Sequence, residues 1–402
     1  MKRLLQINVT ANWGSTGHIA EDIGQIVMTN GWQSHIAYGR NITNSISNAY
    51  KIGNKWSIYF HVLQTRLFDR HGLESKKATC DLIQYIEQIH PNIIHLHNIH
   101  GYFLNYPILF DYLSKADIPI VWTLHDCWPF TGHCAYYDFT KCSRWKTGCY
   151  DCPQKKEYPA SLFLDRSMRN YIDKKHWFTT PKKMTIVSVS NWLAGEIKKS
   201  FLGHYPIKVI HNGIDTDIFK PYSVNKKAFG LDGKFVILGV ASVWSQRKGL
   251  ADFIKLRGLL PDDYAILLIG LDKKQISELP TGIVGLSRTN NIQELAEYYS
   301  MADVYINTSV EETLGMTTIE SLACGTPAIV YEATACTETI SPECGFAVTP
   351  HDIKRIIELI TYIKSLGTDV YSTACRNRAV KHFNKADRFN EYFTLYNSLI
   401  SK

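Results

Sequence analysis

The chain has 402 residues, of which 45% are hydrophobic and 20% charged, an ordinary globular composition with a formal net charge of +7. That length exceeds what one hydrophobic core usually supports, so two domains of roughly 200 residues are expected. No apolar run approaches the roughly 20 residues needed to cross a bilayer, and residues 1–9 lead into a strand instead of a signal peptide, which points to a cytoplasmic protein.

The charge is unevenly placed: through Asp215 there are 24 Lys+Arg against 16 Asp+Glu, net +8, which leaves 20 against 21, net −1, for the rest. A basic first part suits a phosphorylated acceptor or peripheral contact with an anionic membrane, on the inner face of the cytoplasmic membrane. No helix-turn-helix, zinc-finger or RNA-binding signature accompanies it, so nucleic acid is not expected as a partner. Scattered solvated lysines, such as Lys182-Lys183 and Lys198-Lys199, are the plain alternative.

In chain order, residues 2–9 read as a buried strand and residues 12–18 as a loop that opens a helix from about residue 19 to 29. In that loop Gly14 and Gly17 would let the backbone approach a bound phosphate or sugar. Their spacing is neither the dinucleotide fingerprint G-x-G-x-x-G nor a P-loop. Strand-like runs follow at 34–38, 92–96, 118–123 and 185–190, separated by helical stretches such as 76–90, the alternation of a parallel α/β domain. Within this part His95, His97 and His100 could form a three-histidine metal site or simply pack at a strand end.

Between residues 126 and 159 the rhythm breaks. Cys127, Cys134, Cys142, Cys149 and Cys152 supply five of the ten cysteines in an aromatic segment. Disulfides are not expected in a cytoplasmic protein, so Cys134, Cys142, Cys149 and Cys152 are candidate ligands of a structural zinc that would pin a loop too polar to pack by itself. The spacing matches no well-known finger, and reduced loop cysteines are the alternative.

Residues 209–221 close the first domain; Asn212-Gly213 turns the chain, and Asp215-x-Asp217 there reads as a pair of turn-capping carboxylates instead of a metal-holding motif. The expected division is therefore 1–214 as the first domain, with a cysteine-rich insertion at about 126–159, then 215–384 as the second. Residues 385–402, with Phe389, Phe393, Tyr396 and Leu399 at helical spacing, form an amphipathic terminal helix that packs back on the first domain and carries no chemistry.

A second α/β series begins at residues 235–242 and continues through 264–269, 283–284, a helix at 292–301, and strands at 304–307 and 327–331. Two of its loops carry chemistry. In residues 242–249, Arg247 and Lys248 sit beside Gly249 after the first strand, placed to neutralise a departing diphosphate. In residues 308–327 a strand, a short loop and a helix stopped by Gly325-Thr-Pro327 would aim the N–H groups of Leu314, Gly315, Met316 and Thr317, with the positive end of the helix dipole, at a phosphate. Glu312 lies just ahead of that helix and Glu320 about two turns inside it. A dipole partner and a solvated helix residue are the bland readings of these two acids. In a doubly wound sheet both loops would converge at the carboxyl ends of the strands.

With these residues in view the chain resembles the retaining glycosyltransferases of family 4, whose GT-B fold is α/β, two Rossmann-like domains with a donor cleft between them. It is most similar to the bacterial capsular and exopolysaccharide members of the colanic-acid type. Gly14–Gly17 resembles the family's first glycine loop, Thr123-Leu-His-Asp126 its histidine strand end, and His211-Asn-Gly-Ile-Asp215 a domain-closing element. Arg247-Lys248-Gly249 resembles its donor-phosphate loop, and Glu312 to Glu320 its E-x7-E signature.

The resemblance implies that His125 contacts the donor sugar and its diphosphate, Glu312 the sugar hydroxyls, Leu314–Thr317 the phosphates, and Glu320 the ribose. It implies metal-independent transfer from a nucleotide-sugar donor to an oligosaccharide or lipid-linked acceptor, in which positioning and charge stabilisation dominate and no protein nucleophile acts. A sugar-nucleotide epimerase or hydrolase of the same architecture is the alternative. Two features depart from the pattern. Ala241-Ser242 stands where the family often has Gly-Arg, and Glu311 adjoins Glu312, although the eight-residue step to Glu320 favours Glu312.

Overall fold

The computed structural model describes residues 1–401, which fall into two units: residues 1–211 together with the segment from Phe389 onward, and residues 212–388. The first unit holds strands β1 (Arg3–Asn8), β2 (Gln33–Tyr38), β3 (Asn48–Lys51), β4 (Ile93–Leu96), β5 (Ile120–Leu124), β6 (Met184–Ser188) and β7 (Ile207–Val209). Its helices are α1 (Gly14–Thr29), α2 (Lys55–Phe68), α3 (Lys76–Ile89), α4 (Tyr106–Lys115), α5 (Ser167–Phe178) and α6 (Asn191–Lys199). The seven strands pair in the order β3-β2-β1-β4-β5-β6-β7, every pair parallel. Strands such as Ile120–Leu124 and Met184–Ser188 are buried along their whole length. That is why they read as unbroken apolar runs: helices cover both faces of a parallel sheet.

The second unit repeats the plan with β8 (Phe235–Val240), β9 (Tyr264–Ile269), β10 (Ile283–Leu286), β11 (Val304–Asn307), β12 (Ala328–Tyr331) and β13 (Gly345–Val348). They are joined through helices α7 (Leu250–Arg257), α8 (Lys273–Ser277), α9 (Ile292–Met301), α10 (Met316–Ala323), α11 (Ile353–Leu366) and α12 (Asp369–Phe383). Strand order is β10-β9-β8-β11-β12-β13, again all parallel. In each sheet the chain reverses its winding direction once, between β1 and β4 and between β8 and β11, and the carboxyl ends of strands at such a reversal leave room for a ligand.

Two expectations need correcting, and a third, on the last helix, is extended. The loop after β1 is shorter than expected, because α1 starts at Gly14 and not near residue 19. Gly14 takes φ +65°, and a Cβ on Gly17 would stand 2.7 Å from Thr10 Oγ1, so the glycines let the first helical turn sit close against the strand end.

The last helix, α13 (Lys385–Ile400), is more than a packing element. Phe389, Tyr392, Leu395 and Tyr396 share a core with Leu4, Ile19, Ile23 and Val27 of the first unit. The Tyr396 hydroxyl meets His95 Nδ1 at 2.7 Å, and Thr123 Oγ1 donates to the Tyr392 hydroxyl at 3.2 Å, so the helix braces the histidine-bearing strand ends.

Finally, the cysteine-rich segment is not too polar to pack: Phe130, Cys134, Tyr137 and Trp145 belong to the main core of the first unit. Trp145 is 1% exposed, with its ring centroid 5.1 Å from that of Phe130 and 5.0 Å from that of Tyr137. Its aromatic side chains supply an apolar nucleus that the segment's many turn and polar residues obscure in the sequence.

Candidate active site

The second unit brings its two chemistry-bearing loops together because β8 and β11 are neighbours. After β8 the chain forms a short 3-10 turn, Gln246–Lys248, before α7 begins at Leu250, so Arg247 and Lys248 sit just outside the helix and not in its first turn. After β11 comes the loop 308–315. The Val310 N–H donates to Arg247 O at 3.0 Å, Arg247 Nη1 to Glu311 O at 3.0 Å, and Thr308 Oγ1 to Lys248 O at 2.7 Å. A Cβ on Gly249, which has φ +75°, would meet Thr308 Oγ1 at 2.6 Å, so this contact requires glycine.

The acids differ sharply in setting. Glu311 is fully buried, whereas Glu312 is half-buried and forms an ion pair with Lys248. Burial alone would raise the Glu312 carboxyl, but the Lys248 ammonium outweighs it, with help from Arg247 and the Ser309 hydroxyl, and holds it below the ordinary glutamate range. Glu312 is therefore a carboxylate at neutral pH. Its backbone is fixed from a distant loop: the Glu312 N–H donates to Thr334 Oγ1 and the Thr334 hydroxyl contacts Glu312 O, both at 2.8 Å.

Helix α10 begins after Gly315, whose φ of +92° no other residue takes easily, and no side chain caps its N-terminus. The free N–H groups that open every helix are thus left at this end to face a ligand, together with the positive end of the dipole. Glu320 is the fifth residue of α10, so it lies little more than one turn inside, not two. Burial pushes its carboxyl up to about 7, while the Tyr299 hydroxyl donating to Oε2 at 2.9 Å works the other way. Nothing in the sequence links Tyr299 or Thr334 to these acids, since 21 and 22 residues separate the partners. Tyr305, whose hydroxyl donates to Thr317 Oγ1 at 2.7 Å, fixes the first turn of α10 from β11.

In the first unit His125 follows β5 and is 8% exposed. Gln6 Nε2 donates to Ala20 O at 2.6 Å, so Gln6 Oε1 accepts from His97 Nε2 at 3.0 Å. That leaves His97 Nδ1 as an acceptor, and it takes the proton of His125 Nε2 at 3.2 Å. His125 is held with Nε2 protonated and Nδ1 bare. Burial, opposed by Asp126 and assisted by His100, pushes its pKa down to about 4, so the ring is neutral at pH 7. A neutral imidazole brings no positive charge to a diphosphate, which narrows the part His125 can play there to hydrogen bonding. His95 binds Thr123 Oγ1 at 2.8 Å and His100 binds Asp126 Oδ2 at 2.8 Å, so His95, His97 and His100 are spent on separate partners and do not form one metal site.

Cys134, Cys142, Cys149 and Cys152 line one small cavity with His133 and Trp145, and the Gly132 N–H points at Cys149 Sγ at 3.1 Å. Among the described residues no group of three or more His, Cys, Asp or Glu side chains is arranged to hold a metal ion.

Two family models span most of the chain, Glycosyltransferase Family 4 over residues 58–218 and Glycosyl transferases group 1 over residues 223–381, the latter containing Arg247, Lys248, Glu312 and Glu320. The chain is a glycosyltransferase. A protein of Escherichia coli (strain K12) named as a colanic acid biosynthesis glycosyl transferase, WcaC, is 24% identical over 98% of this chain and 100% of its own length. Among solved structures, sucrose-phosphate synthase from Thermosynechococcus elongatus superposes with a TM-score of 0.74 over 100% of both chains at 15% identity. Anabaena HepE in complex with UDP-glucose gives 0.66 at 13% identity, over 98% of this chain and 99% of its own. These likenesses fix the GT-B fold, two parallel-sheet Rossmann-like domains, for this glycosyltransferase.

Proposed function

We propose that this glycosyltransferase moves a sugar from a nucleotide-sugar donor to a saccharide acceptor, lipid-linked, in the making of a bacterial surface polysaccharide, with retention of configuration. The observation that carries the donor reading is the pairing of residues 246–249 with 308–315 at the β8–β11 reversal, ahead of the uncapped α10. The N–H groups of Leu314–Thr317 receive the phosphates, and Lys248 and Arg247 offset the charge that grows on the departing diphosphate. Glu312, an anion, accepts hydrogen bonds from sugar hydroxyls, and Glu320 accepts from the ribose. In the first unit, His125 is neutral with a bare Nδ1 that can accept a hydrogen bond, and Gly14 and Gly17 set the start of α1.

In the proposed step the acceptor oxygen bonds to the anomeric carbon as the carbon–phosphate oxygen bond breaks on the same face. The acceptor proton passes to the leaving diphosphate, so no side chain needs to act as nucleophile. The acceptor reading is supported by the WcaC relative and the basic first part of the chain, and no described helix is long and apolar enough to cross a membrane. Turnover is expected without added metal, because Arg247 and Lys248 can supply the positive charge that a departing diphosphate needs.

The test is a panel of UDP-, GDP- and ADP-sugars given to the purified chain, with nucleotide release followed and the product's anomeric configuration read by NMR. Release of nucleotide from one donor, unchanged by EDTA and increased by acceptor, is expected. No turnover of any donor, or turnover that inverts the sugar nucleotide without an acceptor, would defeat the proposal. Zinc on Cys134, Cys142, Cys149 and Cys152 is a separate proposal: the four line one cavity but are not drawn together as a ligand set, so binding would require them to close around the ion. Elemental analysis should then give one zinc per chain, and metal-free protein would overturn it.

A further inference from the structure

Helix α2 is built inside out. Its buried side chains are His61 and Thr65, while Trp56, Tyr59, Phe60 and Leu63 are exposed at i, i+3, i+4 and i+7. The polar residues are buried at no cost in lost hydrogen bonds: His61 Nδ1 meets Ser75 Oγ at 2.9 Å, the Gly72 N–H donates to its Nε2 at 2.9 Å, and Thr65 Oγ1 donates to His61 O. An apolar stripe turned outward on a helix whose inner face is complete has no role in folding this unit, and Trp56 keeps 82% of its surface in solvent.

The stripe continues onto a second element. The Leu162 N–H donates to Arg66 O at 2.8 Å, which sets the exposed run Leu162, Phe163 and Leu164 beside the C-terminal half of α2. Phe60 and Phe68 of α2 then line a groove of about 640 Å³ with Leu164 and Met168. None of the residues lining this groove belongs to the candidate active site.

The surrounding charge identifies the occupant. Residues 55–70 carry three cations against one acid, and that acid, Asp69, is buried on His133 at 2.7 Å. Residues 155–173 carry four cations against three acids, and Asp173 holds both Arg166 and Arg169. Arg70 is paired with Glu74 and Lys155 Nζ donates to Phe163 O at 3.1 Å, which leaves Lys55 and Arg66 flanking the stripe on α2 itself and Lys156 preceding the apolar run. Tryptophan and tyrosine on one helical face, a protruding Leu-Phe-Leu run and a rim of Lys and Arg together fit the boundary of a bilayer with anionic headgroups: the rings at headgroup level, the aliphatic chains deeper, the cations on phosphates. A protein partner would need matching acids and a shaped apolar surface, for which nothing here selects.

We propose that α2 and residues 158–172 form a membrane-docking face that seats the first unit on an anionic lipid surface. The proposal rests on the lipid-linked acceptor reading only for what the docking achieves; binding to lipid and turnover of donor are measured separately, so either can fail alone.

The experiment is flotation of the full chain with vesicles of phosphatidylcholine, with and without 30% phosphatidylglycerol (roughly the anionic share that gives a strong surface potential). Wild type is expected to float with the anionic vesicles and much less with the neutral ones, and to be released by salt. The double variant Trp56→Ser/Phe60→Ser should lose about tenfold or more in partition, and Lys55→Glu/Lys156→Glu should lose anionic selectivity. Both should keep wild-type circular dichroism and donor turnover, since the changed side chains are exposed.

Equal flotation of the Trp56→Ser/Phe60→Ser variant would overturn the proposal, as would wild type that turns over donor yet ignores anionic vesicles. A concentration-dependent dimer in sedimentation velocity that disappears in the same variant would assign the face to a second copy of the chain and equally overturn it.

Discussion

Glu320 makes donor binding depend on pH. Its carboxyl, ordinarily at 4.5, is pushed up to about 7 by burial, so close to half the molecules carry it protonated at neutral pH. Ribose hydroxyls donate to a carboxylate, so a bound donor favours the ionised form and draws the pKa back down. Affinity must then fall with the ionised fraction of the free protein, from about nine-tenths at pH 8 to about one-tenth at pH 6, a loss of about tenfold. The full excursion back to 4.5 would be worth up to about 3 kcal/mol, since one unit is 1.36 kcal/mol. A sugar nucleotide suits the assay, because its diphosphate has no group titrating in this range.

Calorimetric titration from pH 5.5 to 8.5 should show that slope in wild type and a flat, weaker profile in Glu320→Gln. The same group predicts the folding stability. A raised folded pKa means that stability is fully present below about 4.5 and is lost as pH climbs through about 7, so Glu320→Gln should gain on wild type over that window. A pH-independent wild-type affinity, or a slope retained in Glu320→Gln, would refute the reasoning.

Other consequences follow from the same contacts. Lys248→Met strips the half-buried Glu312 of its cation; with both side chains 16% exposed, urea unfolding should show a loss of about 2–3 kcal/mol, largely recovered by adding Glu312→Gln. His97→Phe removes the acceptor of the His125 Nε2 proton, so kcat should fall while donor affinity stays within about twofold, and stability should drop by about 1–2 kcal/mol. Gly315→Ala has ordinary space for its methyl, nearest neighbours at 3.7 Å, but must hold φ near +92°, so a thermal melt should report about 1–2 kcal/mol of destabilisation together with weaker donor binding.

How much of this was legible in the sequence depended on whether one segment contained the whole signal. Buried parallel strands announce themselves, so residues 235–240, 264–269 and 304–307 stand out as apolar runs, and the helix Ile292–Met301 reads directly from its periodicity. The short edge strands Asn48–Lys51 and Ile207–Val209 do not, because none of their residues is fully buried and each run is too short to show a pattern.

At the site, Arg247, Lys248, Glu312 and Glu320 are visible as residue types beside glycines, but their electrostatic states are not. Lys248 meets Glu312 across 64 residues, and Glu320 owes its raised pKa to burial that no local pattern reveals. The outward-facing apolar stripe of α2 was hidden for the opposite reason: periodicity alone cannot say which face of an amphipathic helix is buried.

The central claim is that residues 246–249 and 308–320 hold a sugar nucleotide. The most direct measurement is thermal melting of the intact chain with UDP-, GDP- and ADP-sugars, compared among wild type, Lys248→Ala and Glu320→Ala. One base series should raise the wild-type melting temperature by about 3 °C at a hundredfold excess over Kd, with the shift reduced in both variants. No shift with any sugar nucleotide, or an equal shift in all three proteins, would contradict the account.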